Sequence, residues 1–445
     1  MARLQLMSEI NFDGLIGPTH NYSGLSEGNN ASKKNFSSPS NPKNAALQGI
    51  KKAETLIASG LKQGFFLPHE RPFIPGLRKL GFNGTDEEIL SSAFNHSKVL
   101  LSNFSSASSM WAANAATISP SPDTQDEKVH LTPANLNTMF HRSIETEFTY
   151  RQCKIIFPKK YFEIHKPAFT ISGYGDEGAA NHLRISKSHN EKGFEIFVYG
   201  DSGFKNNKTS VKRQALEVSR SIAFNHKLDI ENTFFLQQNH QAVEEGSFHN
   251  DIVSLSNENV FIAHEKAFQN KDDLNKILNV LESKIDNFQY VEISNSEIPL
   301  KDIINSYLLN SQLITNSDNE MQLILPEEVK GYENCISWLD KLKQISDVKL
   351  FDFVDIRQSM MNGGGPACLR LKVILNDEEL ESLNQNFLMN SERLESIKLL
   401  IEREYRDVLY PDDLKDPNLL DESRRVLDEL TQIFSTGSIY EFQKL

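Results

Sequence analysis

The second half of this chain repeats one rhythm, and that rhythm limits the architectures open to it. Short apolar runs at Val260-Phe261-Ile262-Ala263, Val291-Glu292-Ile293, Met321-Gln322-Leu323-Ile324-Leu325 and Val348-Lys349-Leu350-Phe351 alternate with longer, periodic stretches. Runs of three to five such residues read as buried strands. Between them, Leu274, Ile277, Leu278, Leu281 and Ile285 fall on one face of a helix. Strands alternating with helices predict an α/β chain built from strand-and-helix modules. No low-complexity linker or change of composition divides the 445 residues, so a single domain over 1–445 is expected.

The first half carries the same elements less plainly. Asn41 and Pro42 form a cap and first residue for a helix that Gly60 ends, with Ala46, Ile50, Ala53 and Ile57 on one face. Phe65-Phe66-Leu67, Phe194 to Gly200 and Phe234-Phe235-Leu236 read as strands. A helix is expected from Arg213 to His226, after a polar surface loop at 201–212. Residues 11–32 are dense in Gly, Asn, Ser and His and read as a loop rich in hydrogen-bonding groups. Ile252 to Leu255 reads as a strand. If that extended backbone began at His249, then His249 and Asp251 would point the same way.

Several function classes are disfavoured. The net charge of −13 is wrong for a nucleic-acid surface. No apolar run approaches a membrane span, and the N-terminal residues lack the apolar core of a signal peptide. Cys153, Cys335 and Cys368 are odd in number and widely spaced, so neither a disulfide framework nor a zinc site is expected, and a reducing cytoplasm fits. His69-Glu70 lacks the spacing of a metalloprotease helix.

The chemistry gathers at a few places. Asn362-Gly363-Gly364-Gly365-Pro366-Ala367-Cys368 places a thiol where a flexible loop becomes an alternating strand. Locally, that thiol is as readily a small buried hydrophobe as a nucleophile. Gly175-Asp176-Glu177-Gly178-Ala179-Ala180-Asn181-His182 is a second Gly-flanked polar cluster, and Gly246-Ser247-Phe248-His249-Asn250-Asp251 a third. Met110 to Thr117 is rich in small residues around Asn114; His141-Arg142, taken alone, suggests surface. A thiol, an imidazole and a carboxylate could form a covalent catalytic set, but spacing alone does not bring them together.

Those segments, with Asn11-Phe12-Asp13-Gly14-Leu15 and Pro68-His69-Glu70-Arg71-Pro72-Phe73, resemble in register the succinylarginine dihydrolase family of the pentein, or guanidine-modifying, superfamily. Pro18 and Glu27 depart from the family's form in the N-terminal loop. The resemblance implies a pentein α/β propeller, five ββαβ modules with pseudo-fivefold symmetry. It implies hydrolysis of N-succinylarginine in arginine catabolism, in a cytoplasmic homodimer that needs no cofactor and no metal. Matching motifs make Cys368 the nucleophile, His249 the general acid/base and Glu177 the third catalytic residue. They place substrate contacts on Ser23, Gly24, Leu25, Ser26, Glu27, Gly28, Asn29, Asn30, Ala31 and Ser32. Asn114, His141, Arg142, Arg213, Asp251 and Asn362 complete that set. Among these residues, Arg142 and Arg213 suit carboxylates, and Asp251 and Glu177 a guanidinium. The amides of Asn114 and Asn362 suit a neutral ureido group.

Overall fold

The computed structural model describes residues 6–201 and 213–444. The extreme N-terminus and all but the first residue of the expected 201–212 loop lie outside the described residues.

Five three-stranded sheets account for every strand among the described residues. Each has the same plan: a central strand lies antiparallel to one neighbour and, after a crossover helix, parallel to the other. The first contains β1 (Met7–Gly14), α1 (Pro42–Ala58) and β2 (Lys62–Phe66). The second contains β3 (Ala116–Ser119), β4 (Val129–Pro133), α2 (Thr146–Ile156) and β5 (Phe162–Ile164). The third contains β6 (His182–Ile185), β7 (Phe194–Tyr199), α3 (Leu216–Asn225) and β8 (Thr233–Gln237). The fourth contains β9 (Ser254–Asn257), β10 (Val260–His264), α4 (Lys271–Lys284) and β11 (Gln289–Ile293). The fifth contains β12 (Gln312–Thr315), β13 (Met321–Pro326), α5 (Glu333–Ile345) and β14 (Val348–Val354). The last strand, β15 (Arg370–Asn376), returns to pair with β1 from Met7↔Asn376 to Asp13↔Arg370 and supplies the antiparallel strand that the first module lacks. The ring is thus closed by the two ends of the chain. β15, β3, β6, β9 and β12 are the inner strands: β15 lies against β3, and β9 lies against both β6 and β12. This is the five-bladed propeller of ββαβ modules that the resemblance implies.

The helices form as their sequences dictate. In α1, Asn41 caps by accepting from the Asn44 N–H at 2.8 Å, and Gly60 ends the turn at φ +84°. The stripe of α4 is buried, as its spacing predicts. Three expectations need correction. Residues 11–14 belong to β1, a buried central strand, not a loop: Asn11 and Asp13 are polar, yet the core encloses both and gives them partners. The helix after the undescribed segment begins at Leu216, not Arg213. Residues 250–252 form a short 3₁₀ turn, and β9 begins only at Ser254, so His249 and Asp251 do not share one face of a strand.

One core contact carries a stability prediction. Lys52 of α1 is fully buried and donates to Asp13 of β1 at 2.7 Å, tying the crossover helix to its sheet. Burial pushes the Asp13 carboxyl up and the Lys52 amine down, and each group pulls the other back. Removing one partner leaves the other polar group stranded. Lys52→Met should therefore cost about 3–5 kcal/mol in denaturant unfolding. Adding Asp13→Leu should recover most of it. A single variant as stable as the parent would contradict this.

Candidate active site

The inner strands all start at one end of the propeller, and the chemistry-bearing residues sit just before those starts. Asn114 lies two residues before β3, Glu177 and His249 five before β6 and β9, and Asn310 and Cys368 two before β12 and β15. Residues far apart in sequence are thereby brought to one end of the axis.

The glycine loop before Cys368 is dictated by close packing. Gly363 has φ +103°, and a Cβ there would lie 2.2 Å from the Asn29 amide. A Cβ on Gly364 would lie 2.4 Å from Trp111 Nε1. Gly365 N–H donates to Asn310 Oδ1 at 2.9 Å, and Ala367 N–H donates to the Asn310 carbonyl at 3.0 Å. Cys368 is 5% exposed, and its thiol approaches Asp251 Oδ2 at 3.5 Å. Asn310 Nδ2 donates to the Asp251 carbonyl at 3.0 Å, holding that turn in place.

Glu177 and His249 are both buried and meet directly, Oε2 to Nε2 at 2.9 Å. The other carboxylate oxygen accepts from Thr138 Oγ1 at 2.8 Å, and the Glu177 N–H donates to Gln214 Oε1 at 2.7 Å. Burial alone would raise the Glu177 carboxyl. The hydrogen bond and charge of His249, then the charges of Arg213 and Arg142, outweigh it and hold the group at about 2. A fixed carboxylate of this kind can orient an imidazole and stabilise its charged form.

The N-terminal loop and the two arginines lie against this centre. Arg213 Nη2 donates to the Glu27 carbonyl at 2.7 Å, and its guanidinium stacks 4.6 Å over the Phe248 ring. Arg142 is gripped at Nε by Glu145 at 3.3 Å and packs over Trp111 at 5.5 Å. Arg142 Nη2 and Arg213 Nε are buried with no partner among the described residues, so each retains a donor for a ligand. His141 bonds Ser26 Oγ at 3.2 Å, and burial together with Arg142 and Arg213 holds its imidazole down at about 3, in the neutral form. Both His141 and Arg142 are buried, against the surface reading of that dipeptide.

Asn29 Nδ2 donates to the Asn362 carbonyl, Ser32 Oγ to Asn362 Oδ1, and Asn362 Nδ2 to the Asn21 carbonyl. The Asn362 amide is thus engaged in shaping the 23–32 loop. Within that loop, Asn30–Lys34 is a short helix capped by Asn29, and Gly24 N–H donates to Ser32 Oγ. Gly24 and Gly28 take positive φ, Leu25, Glu27, Asn30 and Ala31 keep part of their surface, and Ser23 is half-buried. Asn114 Nδ2 donates to the Glu177 carbonyl at 2.7 Å, so it too supports the turn that carries Glu177. Asn310, Glu145, Thr138 and Trp111 were not foreseen. Asn310 had one available signal, its place just before a strand, which it shares with Asn114. Among the described residues, no group of three His, Cys, Asp or Glu is placed to hold a metal ion.

The thiol's environment gives a pH prediction. Burial, then the Asp251 carboxylate, push Cys368 well above its ordinary value of 9.0. The empty protein should therefore hold a neutral thiol at pH 7. In a difference titration at 240 nm against Cys368→Ser, thiolate should appear only above the ordinary thiol range. An unreactive guanidinium ligand should move its onset to lower pH, since a nearby cation favours the anion. A thiolate already present at pH 7 without ligand would refute this.

The model of the succinylarginine dihydrolase family matches residues 6–443. The N-succinylarginine dihydrolases of Idiomarina loihiensis and Acinetobacter baumannii (strain ACICU) are 46% and 45% identical. Each match covers 98% of this chain and 99% of the relative. Among solved structures, the N-terminal domain of ArgZ, an arginine dihydrolase from the ornithine-ammonia cycle in cyanobacteria, superposes with a TM-score of 0.52. It is 13% identical, over 82% of this chain and 97% of that domain. The chain covers 40% of the longer ArgZ chain, so the likeness there is to one domain. With the family pattern matched from end to end and the fold shared, the chain belongs to the succinylarginine dihydrolase family.

Proposed function

We propose that this protein hydrolyses N2-succinyl-L-arginine to N2-succinyl-L-ornithine, two ammonia and carbon dioxide, as the names of its relatives describe. The observation that carries the reading is the convergence of a thiol beside a carboxylate, an imidazole fixed by a second carboxylate, and two buried guanidinium groups with unpaired donors.

Asp251 receives the guanidinium of the substrate, and Arg142 and Arg213 receive its carboxylates. The incoming cation favours the Cys368 thiolate, and the thiol proton passes to His249. The thiolate attacks the guanidinium carbon, His249 protonates the departing nitrogen, and ammonia leaves. The resulting S-amidino intermediate is attacked by water that His249 deprotonates; the C–S bond breaks and N-succinylcitrulline remains. A second attack at the ureido carbon expels the ornithine amine. It leaves an S-carbamoyl group, which water converts to carbamate and so to ammonia and carbon dioxide. Thiol and acid/base chemistry balance both rounds. Glu177 keeps His249 oriented throughout.

We assign the whole chain to one catalytic unit, acting in the cytoplasm as a homodimer on a small molecule, not on nucleic acid or at a membrane. The acidic charge favours this reading, as does the lack, among the described residues, of a helix long and apolar enough to cross a bilayer. The test is ammonia release. N-succinylarginine should be turned over, and free arginine should run at least about a thousandfold slower, because it lacks the succinyl carboxylate that repays a buried guanidinium. Equal rates on the two substrates would overturn the reading.

A further inference from the structure

A cavity of about 130 Å³ runs along the propeller axis, behind the catalytic centre. At one end it is lined by Asp251, Ala367, Ala113 and Ala179, residues of the turns that carry the thiol, Asn114 and Glu177. From there it follows the inner strands, past Arg370, Lys372 and Ile374 of β15 and Ser254 and Ser256 of β9. Arg370 to Ile374 is four steps of about 3.3 Å, so this stretch alone is about 13 Å long. The far end is formed by His189, in the connection from β6 to β7, and Glu258, in the turn from β9 to β10. These two are joined by the His189 N–H donating to Glu258 Oε1 at 2.9 Å.

One feature favours water in this space. Buried polar atoms without a protein hydrogen bond occur along it, Asp251 Oδ1 at the catalytic end and Ser311 Oγ between, while at the far end the His189 ring lies 3.6 Å from Glu9 and 4.0 Å from Glu258. Buried polar atoms of this kind are satisfied by water where there is room for it. The walls carry both signs, Arg370 and Lys372 each lying 3.5 Å from Glu9. Such a surface passes small polar neutral molecules.

The reaction makes a second path useful. Ammonia must leave, and water must enter, within the first hydrolysis, while the succinyl-bearing chain is still held. The 23–32 loop, Arg142 and Arg213 lie on the side where that chain is gripped, so it blocks that way. We propose that the axial cavity is a conduit that lets water reach the thiol centre, and the first ammonia leave it, from the face of the propeller opposite the substrate loop. This rests on the proposed activity.

The test is to narrow the conduit far from the catalytic residues. Ser256→Phe and Ser256→Leu on β9, and Ile374→Phe on β15, each add bulk to its wall; Ser256→Ala adds none. In variants that keep the parent's unfolding temperature within a few degrees, kcat should fall about fivefold or more for Phe and less for Leu. KM for N-succinylarginine should stay within about twofold, and Ser256→Ala should keep parental kcat. Wild-type kcat in a folded Phe variant, or an equal loss in Ser256→Ala, overturns the conduit. If Phe fails to fold, the Leu variant decides by the same criterion. Wild-type turnover in the same assay tests the activity separately: its absence sinks the activity, whereas unslowed variants sink only the route.

Discussion

Cys368→Ser is expected to lose turnover of N-succinylarginine by roughly four orders of magnitude or more, while the fold stays intact. The sulfur does what a hydroxyl cannot do here. It can ionise when a cation arrives, it attacks a resonance-stabilised carbon, and it leaves again when water displaces it. A serine side chain ionises far higher, in a pocket where burial and Asp251 already oppose the anion. Packing should barely change, since the residue contributes little beyond a small side chain at the head of β15. Cys153 and Cys335 are free, buried thiols in α2 and α5, away from the inner-strand starts. Their serine variants should keep nearly full kcat, with any loss confined to stability. Mass spectrometry of quenched reactions should show a substrate-derived adduct on the Cys368 peptide of the parent and none in Cys368→Ser. Activity near the parental level in that variant would remove the covalent mechanism.

Arg213→Ala has the second largest expected effect, and its size depends on the substrate. The guanidinium is buried, pinned at one nitrogen to the Glu27 carbonyl and stacked on Phe248, with Nε unpaired. Burial, despite the pull of Glu177, lowers its affinity for a proton to about 10, so it stays charged at neutral pH. A carboxylate arriving there gains a charge-assisted bond in a desolvated site. Removing the guanidinium should cost about 3–5 kcal/mol. That is on the order of a hundredfold to several thousandfold in kcat/KM for N-succinylarginine. Free arginine, already poor, should lose much less. Arg213→Lys should not rescue, because an ammonium cannot both hold Glu27 and stack flat on the ring. Equal proportional losses on the two substrates would show that Arg213 supports the loop but does not read the succinyl group.

Legibility differed between the two halves of the problem. Helices with caps and stripes, such as α1 and α4, were readable because their local signals agree with their tertiary role. Of the inner strands, only β15 shows its alternation plainly. β3, β6, β9 and β12 are four residues each, too short to show a period, and their sequences carry functional turns at the front. The end of β1 reads as loop because Asn11, Asp13 and Gly14 break the apolar pattern. Asn11 donates to Glu9 two residues back on the same strand, whereas Asp13 and Gly14 answer to distant groups, Lys52 and the Met110 backbone, which a Gly14 Cβ would strike at 2.1 Å. At the site, the long Gly-flanked motifs mark Cys368, Glu177 and His249 through family resemblance, and the structure sets each shortly before an inner strand, with Glu177 bonded to His249 and Cys368 beside Asp251. His249 and Asp251 do not share a strand face as an extended backbone would place them, since a 3₁₀ turn spans 250–252. Glu145 and Asn310 were invisible because each acts on another residue, Glu145 on Arg142 and Asn310 on the thiol loop, and such roles leave no local pattern.

The central claim is that one site hydrolyses twice, and counting ammonia tests it most directly. With purified protein and limiting N-succinylarginine, two ammonia should appear for each substrate consumed, with N-succinylornithine as the end product. N-succinylcitrulline supplied directly should also be consumed, yielding one further ammonia. One ammonia per substrate, with N-succinylcitrulline accumulating and refractory when added back, would contradict the account and make the protein a deiminase.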